Sequence, residues 1–391
     1  MTDDELRAYA DELAHKFIIT DGHIDLPYRL KEKNWVVDNG IIGNDNEKPV
    51  GDLDAHRANH GGLDAPFMSI YIPASYQKKT DKGELLGGGK ELADSLIDMV
   101  VGITKTYPAM YALANTPAEV EANFKSKQIS LPMGMENGAP IGKDINNVKY
   151  FFDRGIRYVT LTHGKDNQIC DSSYDTTYTW KGLSPFGEQV VKEMNRVGIM
   201  VDISHVDDSA FYDVMKIANA PCIASHSSCR YYTPGFRRNM NDDMIKLLAK
   251  NGGVIQINFG SSFLDSLVRS NRVMVDSLGK VLKSKGLMSR DAEAQAIIAA
   301  FGKHKDFYSD VERVADHIDH VKQIAGIDYV GIGSDYDGVG DSLPEGLKDV
   351  STYPNLIYVL LKRGYSEEEI QKVCSGNVFR VWNKVIEVAG K

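Results

Sequence analysis

RYVTLTH (157–163), SPFGEQVVKEMNRVG (184–198) and IMVDISH (199–205) follow one another along one stretch of the chain, with a polar loop between the first two. The outer pieces are short, β-branched apolar runs, and each ends on a histidine. The middle piece has helical periodicity. Ser184 before Pro185 suits an N-cap with proline at the first helical position, and Gly198 stands where a left-handed C-cap belongs. Strand, helix and strand in this order predict a parallel pair joined by a helical crossover. The same rhythm extends in both directions, giving eight candidate strands: FIITD (17–21), FMSIYIP (67–73), LPMGME (131–136), RYVTLT (157–162), IMVDIS (199–204), CIAS (222–225), GVIQINF (253–259) and YVGIGSD (329–335). Eight parallel strands with helical crossovers predict an α/β fold, a closed (β/α)8 TIM barrel.

Helical segments fill the intervals at GKELADSLIDMVVGI, DDSAFYDVMKIAN, MNDDMIKLLAKNGG and SDVERVADHIDHVKQIAG. Stretches 31–60, 74–90 and 164–183 are irregular and follow strands one, two and four, so they should build the active-site face. Residues 261–310 read as a longer helical excursion after strand seven, a lid or a subunit contact. No repeat, low-complexity tract or linker divides the chain, and residues 1–391 are expected to form a single barrel domain.

The 391 residues are 42% hydrophobic with a formal net charge of -9. That composition suits a large packed core and excludes a basic stripe for nucleic acid. Cys170, Cys222, Cys229 and Cys374 form no CxxC pair and read as reduced thiols. Residues 1–16 are acidic and helix-like rather than a secretory leader, and no apolar run is long enough to span a bilayer. A cytoplasmic location is expected, or a periplasmic or surface one if a leader has been removed. The expected assembly is a homo-oligomer, a dimer.

Chemistry-bearing residues gather at the strand ends. His23 and Asp25 follow the first strand, Glu136 ends the third, His163, His205 and His226 follow the fourth, fifth and sixth, and Asp335 ends the eighth. Each alone is an ordinary structural residue, yet a barrel brings distant strand ends to one mouth. In HxD the two side chains lie on one face if extended and can address one cation. Imidazoles and carboxylates without thiolate suit zinc or manganese. Glu136 is the candidate bridge between two cations, which at ~3.5 to 4 Å apart would hold a shared water as hydroxide.

These residues fall in segments that resemble the membrane (renal) dipeptidase family of zinc peptidases: DGHIDLP (21–27), GMENG (134–138), YVTLTH (158–163), GLSPFGEQVVKEMNRVGIMVDISHV (182–206), ASHSS (224–228), RRN (237–239), HIDHVKQIAGIDYVGIGSDYDG (317–338), EGLKDVSTYPNL (345–356) and GNVFRVW (376–382). The likeness runs through nearly the whole chain in family order. It implies a metallo-dipeptidase with two Zn2+ per subunit and a bridging water or hydroxide. His23 and Asp25 would bind one zinc, His205 and His226 the other, and Glu136 both. Asp335 would handle protons and hold the substrate amine, His163 would hydrogen-bond the tetrahedral oxyanion, and Arg238, with Arg237 as its competitor, would clamp the substrate carboxylate.

The chain departs from the animal members at GKDNQICDSSYD (164–175) and at Gly260, where they place a tyrosine, so side-chain specificity should differ. Its C-terminus, VIEVAGK, is too short and polar for their lipid-anchor signal, and no membrane anchor is expected. His317, His320, His56 and His60 read as structural or solvated. Asp202 and Asp337 could orient ligands, while Tyr174, Tyr178 and Trp180 could line a pocket or simply pack in their loop. Two other functions remain compatible with the sequence: hydrolysis of N-acyl amino acids, D-residue amides or lactones at the same centre, and peptide binding without turnover.

Overall fold

The computed structural model describes residues 1–43, 49–287, 291–302 and 307–390. All eight apolar runs are strands: β1 (Ile19–Ile24), β2 (Leu63–Tyr71), β3 (Met133–Glu136), β4 (Ile156–Thr160), β5 (Met200–Asp202), β6 (Ile223–Ala224), β7 (Val254–Ile257) and β8 (Val330–Ile332). They pair in chain order, each parallel to the next. The end of β8 returns to β1, where Asp335 N–H donates to the His23 carbonyl at 3.1 Å and Asp25 N–H to the Tyr336 carbonyl at 2.9 Å. The expected barrel is therefore present. Its strands are buried along their length, β1 and β7 at every residue. That explains why they read as apolar runs rather than as alternating half-buried strands.

The crossover helices begin and end where local chemistry allows. Ser184 Oγ accepts the Gly187 N–H at 2.8 Å to start Pro185–Val197, and Gly198 ends it at φ +95°. Asn241 and Asp310 cap Asp242–Lys250 and Val311–Ile324 in the same way. Each such cap contributes about 1 kcal/mol. Among the described residues, no helix is long and apolar enough to cross a membrane.

The N-terminal end of the barrel is plugged. Met200, Ile223 and Val254, which open β5, β6 and β7, and Phe67 and Tyr158 from the middle of β2 and β4 form one apolar cluster with Val378, Val381, Trp382 and Val385 of the helix Asn377–Val388. The Phe67 ring lies 5.4 Å from that of Tyr158 and 5.2 Å from that of Trp382. Large side chains thus fill this end of the barrel.

Two regions depart from the expectation. Within 31–60 a helix forms at Ala55–Gly61, capped by the Asp54 carboxylate accepting the Arg57 N–H at 2.9 Å. The segment AHRANHG has too little apolar periodicity to reveal it. The third predicted strand, 131–136, also starts later than expected: only Met133–Glu136 enters the barrel, and Leu131 ends a separate strand, Ile129–Leu131, that pairs with Tyr111–Leu113 outside it. Pro132 lies between the two and has no N–H to continue a ladder. After β7 the described residues are mostly helical, at Ser261–Leu264, Ser266–Ser284 and Ala292–Gly302, whereas 288–290 and 303–306 of the expected excursion lie outside the described residues.

Candidate metal and active site

The seven strand-end residues converge at the C-terminal rim. Two of them, His205 and Asp335, sit in left-handed backbone turns just past their strands, with φ of 68° and 64°, and their neighbours Asn137 and Asp337 do the same at 80° and 62°. Non-glycine residues in this region cost on the order of 1 to 3 kcal/mol each and persist where the surroundings enforce them.

Glu136 is at the centre. Its Oε2 is 3.3 Å from His23 Nε2, while its Oε1 is 3.0 Å from His205 Nε2 and 3.3 Å from His226 Nε2. Asp25 Oδ1 is 3.6 Å from His23 Nε2. Three sets of donors lie within mutual reach of a single ion: His23, Asp25 and Glu136; Glu136, His163 and His205; and His23, His226 and Asp335. His163 and Asp335, which the family likeness assigns to other work, are thus close enough to share in coordination. His163 Nε2 is 3.8 Å from Glu136 Oε1.

The chemistry of this cluster fits divalent cations. His23 Nε2 and Asp25 Oδ1 are buried with no protein hydrogen-bond partner, a costly arrangement unless something else accepts their lone pairs. Burial, with Arg238 and neighbouring imidazoles, drives the His205 pKa well below its ordinary value and that of His226 down to about 3. Both rings are therefore neutral, the form that donates to a metal. Burial alone would raise Glu136, but the charges of His23 and His163 and hydrogen bonds from His205 and His226 outweigh it and hold the carboxyl well below the usual range. At His23, burial is overcome by Tyr158 and by the Glu136 and Asp25 carboxylates, which raise its pKa well above normal. Positive charge is favoured at that spot, and a bound cation would supply it.

Supporting contacts hold the ligand candidates. His23 Nδ1 is 2.8 Å from the Tyr158 hydroxyl, and His226 Nδ1 is 2.7 Å from Ser225 Oγ, which donates to Asp202 at 2.6 Å. Asp202 also receives Thr160 Oγ1 and the N–H groups of Ser204 and Ser225. It therefore reaches His226 through Ser225, and among the described residues no hydrogen bond links it to His205. Asp21 accepts N–H bonds from His23 and Ser334 and the Tyr353 hydroxyl, fixing β1 against β8. Neither Tyr158 nor Ser225 stands out in the sequence, because a tyrosine in an apolar strand and a serine beside a histidine read as ordinary packing.

A cavity of about 690 Å³ opens over the centre, walled by Asp25, Glu136, His163, His205 and Asp335 together with Tyr28, Tyr71, Tyr174, Phe263 and Arg272. Tyr174 is thus a wall residue, whereas Tyr178 pairs with Arg237 and Trp180 Nε1 donates to the Asn167 carbonyl. Arg238 is buried behind the wall, its Nη1 donating to Ser227 Oγ at 2.7 Å and Nη2 to the His226 carbonyl at 2.8 Å. Arg237 is committed to Asp207. Asp335 accepts from Asn258 Nδ2 at 2.8 Å. Burial raises its pKa, which the charge of His23 opposes and those of Asp25 and Glu136 reinforce, to about 8. Nearby divalent cations would lower it again.

The remaining candidates lie elsewhere. His317 bonds the Cys229 N–H and the Leu264 carbonyl, His320 bonds Asp242, and His56 bonds the Asn39 carbonyl. His60 is exposed on its helix. Asp337 holds the Asp52 N–H and stands back from the centre. All four cysteines are free and buried.

A model of the membrane dipeptidase family, peptidase family M19, matches residues 7–391. Dipeptidase 3 of Mus musculus is 31% identical over 396 residues, covering 100% of this chain and 69% of that protein. Dipeptidase 3 of Rattus norvegicus is 30% identical, covering 100% and 70%. Among solved structures, the probable dipeptidase PvdM from Pseudomonas aeruginosa shares the fold with a TM-score of 0.81 at 24% identity, over 99% of this chain and 100% of that one. A metallo peptidase from Rhodobacter sphaeroides, liganded with a phosphinate mimic of the dipeptide L-Ala-D-Ala, does so with a TM-score of 0.73 at 23% identity, over 94% and 99%. A family match that spans the barrel from end to end, on a chain whose imidazoles and carboxylates meet at one rim, places this protein in the membrane dipeptidase family, peptidase family M19, as a metallopeptidase.

Proposed function

We propose that this chain hydrolyses dipeptides at a two-zinc centre, with His23 and Asp25 on one ion, His205 and His226 on the other and Glu136 shared. The observation that carries this reading is the orientation of Glu136, whose two oxygens face different imidazoles, Oε2 toward His23 and Oε1 toward His205 and His226. When bound, such ions polarise the scissile carbonyl and make an attacking water acidic enough to serve as hydroxide near neutral pH.

The protein's own residues do the rest. In this reading Asp335, anchored by Asn258 on the cavity wall, holds the substrate's free amino group and passes the proton lost by the attacking water to the leaving amine. His163, at the wall beside Glu136, donates a hydrogen bond to the oxyanion that develops at the attacked carbonyl, an interaction stronger in the transition state than in the bound substrate. In this reading Arg238, whose Nη1 and Nη2 hold Ser227 and the His226 carbonyl and whose Nε has no protein partner, clamps the C-terminal carboxylate. Recognition of both charged ends limits the substrate to two residues. We retain the expected dimer and the single domain as parts of this reading.

Turnover of a panel of L-L and L-D dipeptides, with zinc measured on the same preparation, tests it. Dipeptide cleavage at two zinc ions per chain is expected. A fully metallated sample that cleaves no dipeptide, or full activity with one ion, would overturn the reading.

A further inference from the structure

We propose that Arg272 makes the cavity selective for dipeptides carrying a carboxylate side chain, an inference that rests on the dipeptidase reading and specifies its substrate class. Arg272 belongs to the helix Ser266–Ser284, outside the barrel and outside every segment that carries the family likeness, yet it lines the same cavity as Asp335, Ser262 and Ser342.

Its guanidinium is held in place by neutral groups. Nε donates to the Phe307 carbonyl at 3.0 Å and Nη2 to the Asp341 carbonyl at 2.9 Å, and the group lies 5.4 Å from the centroid of the Tyr308 ring. The nearby Asp341 carboxylate accepts the Tyr308 hydroxyl at 2.8 Å. Among the described residues, no carboxylate forms an ion pair with Arg272. Arg29, the other arginine of the wall, is by contrast paired with Glu32 at 2.7 Å. Among the described residues Arg272 is therefore a fixed cation that no carboxylate neutralises by direct pairing. Carbonyl anchoring at two corners reduces the rotamer freedom lost on binding. A planar fork held this way suits a carboxylate, and the serine hydroxyls of Ser262 and Ser342 add donors of the right kind. An amide of the same shape would gain much less.

The test compares kcat/KM of the metal-loaded full chain on Ala-Asp against Ala-Asn and on Asp-Ala against Asn-Ala, at low salt. A preference for the acidic member of about tenfold or more at one of the two positions, carried mainly by KM, is expected from a charge-assisted hydrogen bond. In Arg272→Met the acidic substrates should lose far more than the neutral ones, so that the pair approaches parity. Arg272→Lys should keep part of the preference, which separates charge from folding. Cleavage without preference at either position, or equal loss on acidic and neutral substrates in Arg272→Met, overturns the proposal while leaving the dipeptidase reading standing. Cleavage of none of the four overturns the proposal, and the dipeptidase reading falls with it if the wider L-L and L-D panel is uncleaved as well.

Discussion

The Tyr158 hydroxyl stands 2.8 Å from Nδ1 of His23. The phenol ring belongs to the apolar plug at the closed end of the barrel, while its oxygen reaches the metal-type residues at the open end. If His23 gives its Nε2 lone pair to a cation, Nδ1 carries the proton and donates it to the phenol, which fixes tautomer and ring orientation together. Gly134 makes this possible, because a Cβ there would fall 2.0 Å from the Tyr158 ring.

Tyr158→Phe keeps the ring packing and removes only the acceptor. Zinc affinity or kcat/KM should fall by about 10- to 100-fold, the usual effect of losing such a partner, with little change in thermal stability. A zinc titration and a melting curve on the same preparation check it. Unchanged affinity and unchanged turnover would show that the contact does not orient His23.

Glu136→Ala should remove both ions or displace them, because one side chain serves both sets of imidazoles. Metal analysis after dialysis should find well under two zinc ions per chain, with activity lost in proportion. Retention of both ions with near-normal turnover would refute the shared role of Glu136.

Much of this was legible in the chain. The barrel strands appear as apolar runs because both of their faces are buried, and His23, Glu136, His205 and His226 appear as polar residues at the ends of those runs. The less legible parts depend on contacts between distant segments. Ser225 matters because Asp202, on another strand, receives its hydroxyl, and Tyr158 matters because Gly134 admits its ring. Arg272 reaches the cavity from a helix whose sequence carries no local motif. The helix Ala55–Gly61 was missed because its cap, Asp54, is followed by a segment without an apolar stripe.

Asp335→Asn separates proton handling from coordination. The amide can still contact Asn258 and preserves the volume, which matters because Gly338 packs so closely that a Cβ there would lie 2.1 Å from Asp335 Oδ1 and 2.3 Å from Asp25 Oδ2. Zinc content should stay at the wild-type level while kcat falls on the order of 10²- to 10⁴-fold, the range for losing a positioned acid or base. Loss of zinc instead would place Asp335 among the ligands, a position its nearness to His23 and His226 permits.

The last prediction concerns stability far from the centre. Asp64, at the start of β2, accepts the Ile19 N–H at 2.9 Å, and burial raises its pKa to about 7 despite that bond and the nearby charge of His15. A carboxyl that titrates near 4 in the unfolded chain and near 7 in the folded one leaves the native state holding the extra proton. Its stabilising contribution is complete below about pH 4 and is lost as pH rises through about 7. Asp64→Asn keeps an acceptor for Ile19 and cannot ionise. The melting temperature of the variant relative to the parent should therefore climb between about pH 4 and 7 and level off above about pH 8. A difference that stays flat across that range would mean that Asp64 is ionised in the native protein at neutral pH and that the environment at the start of β2 tolerates its charge.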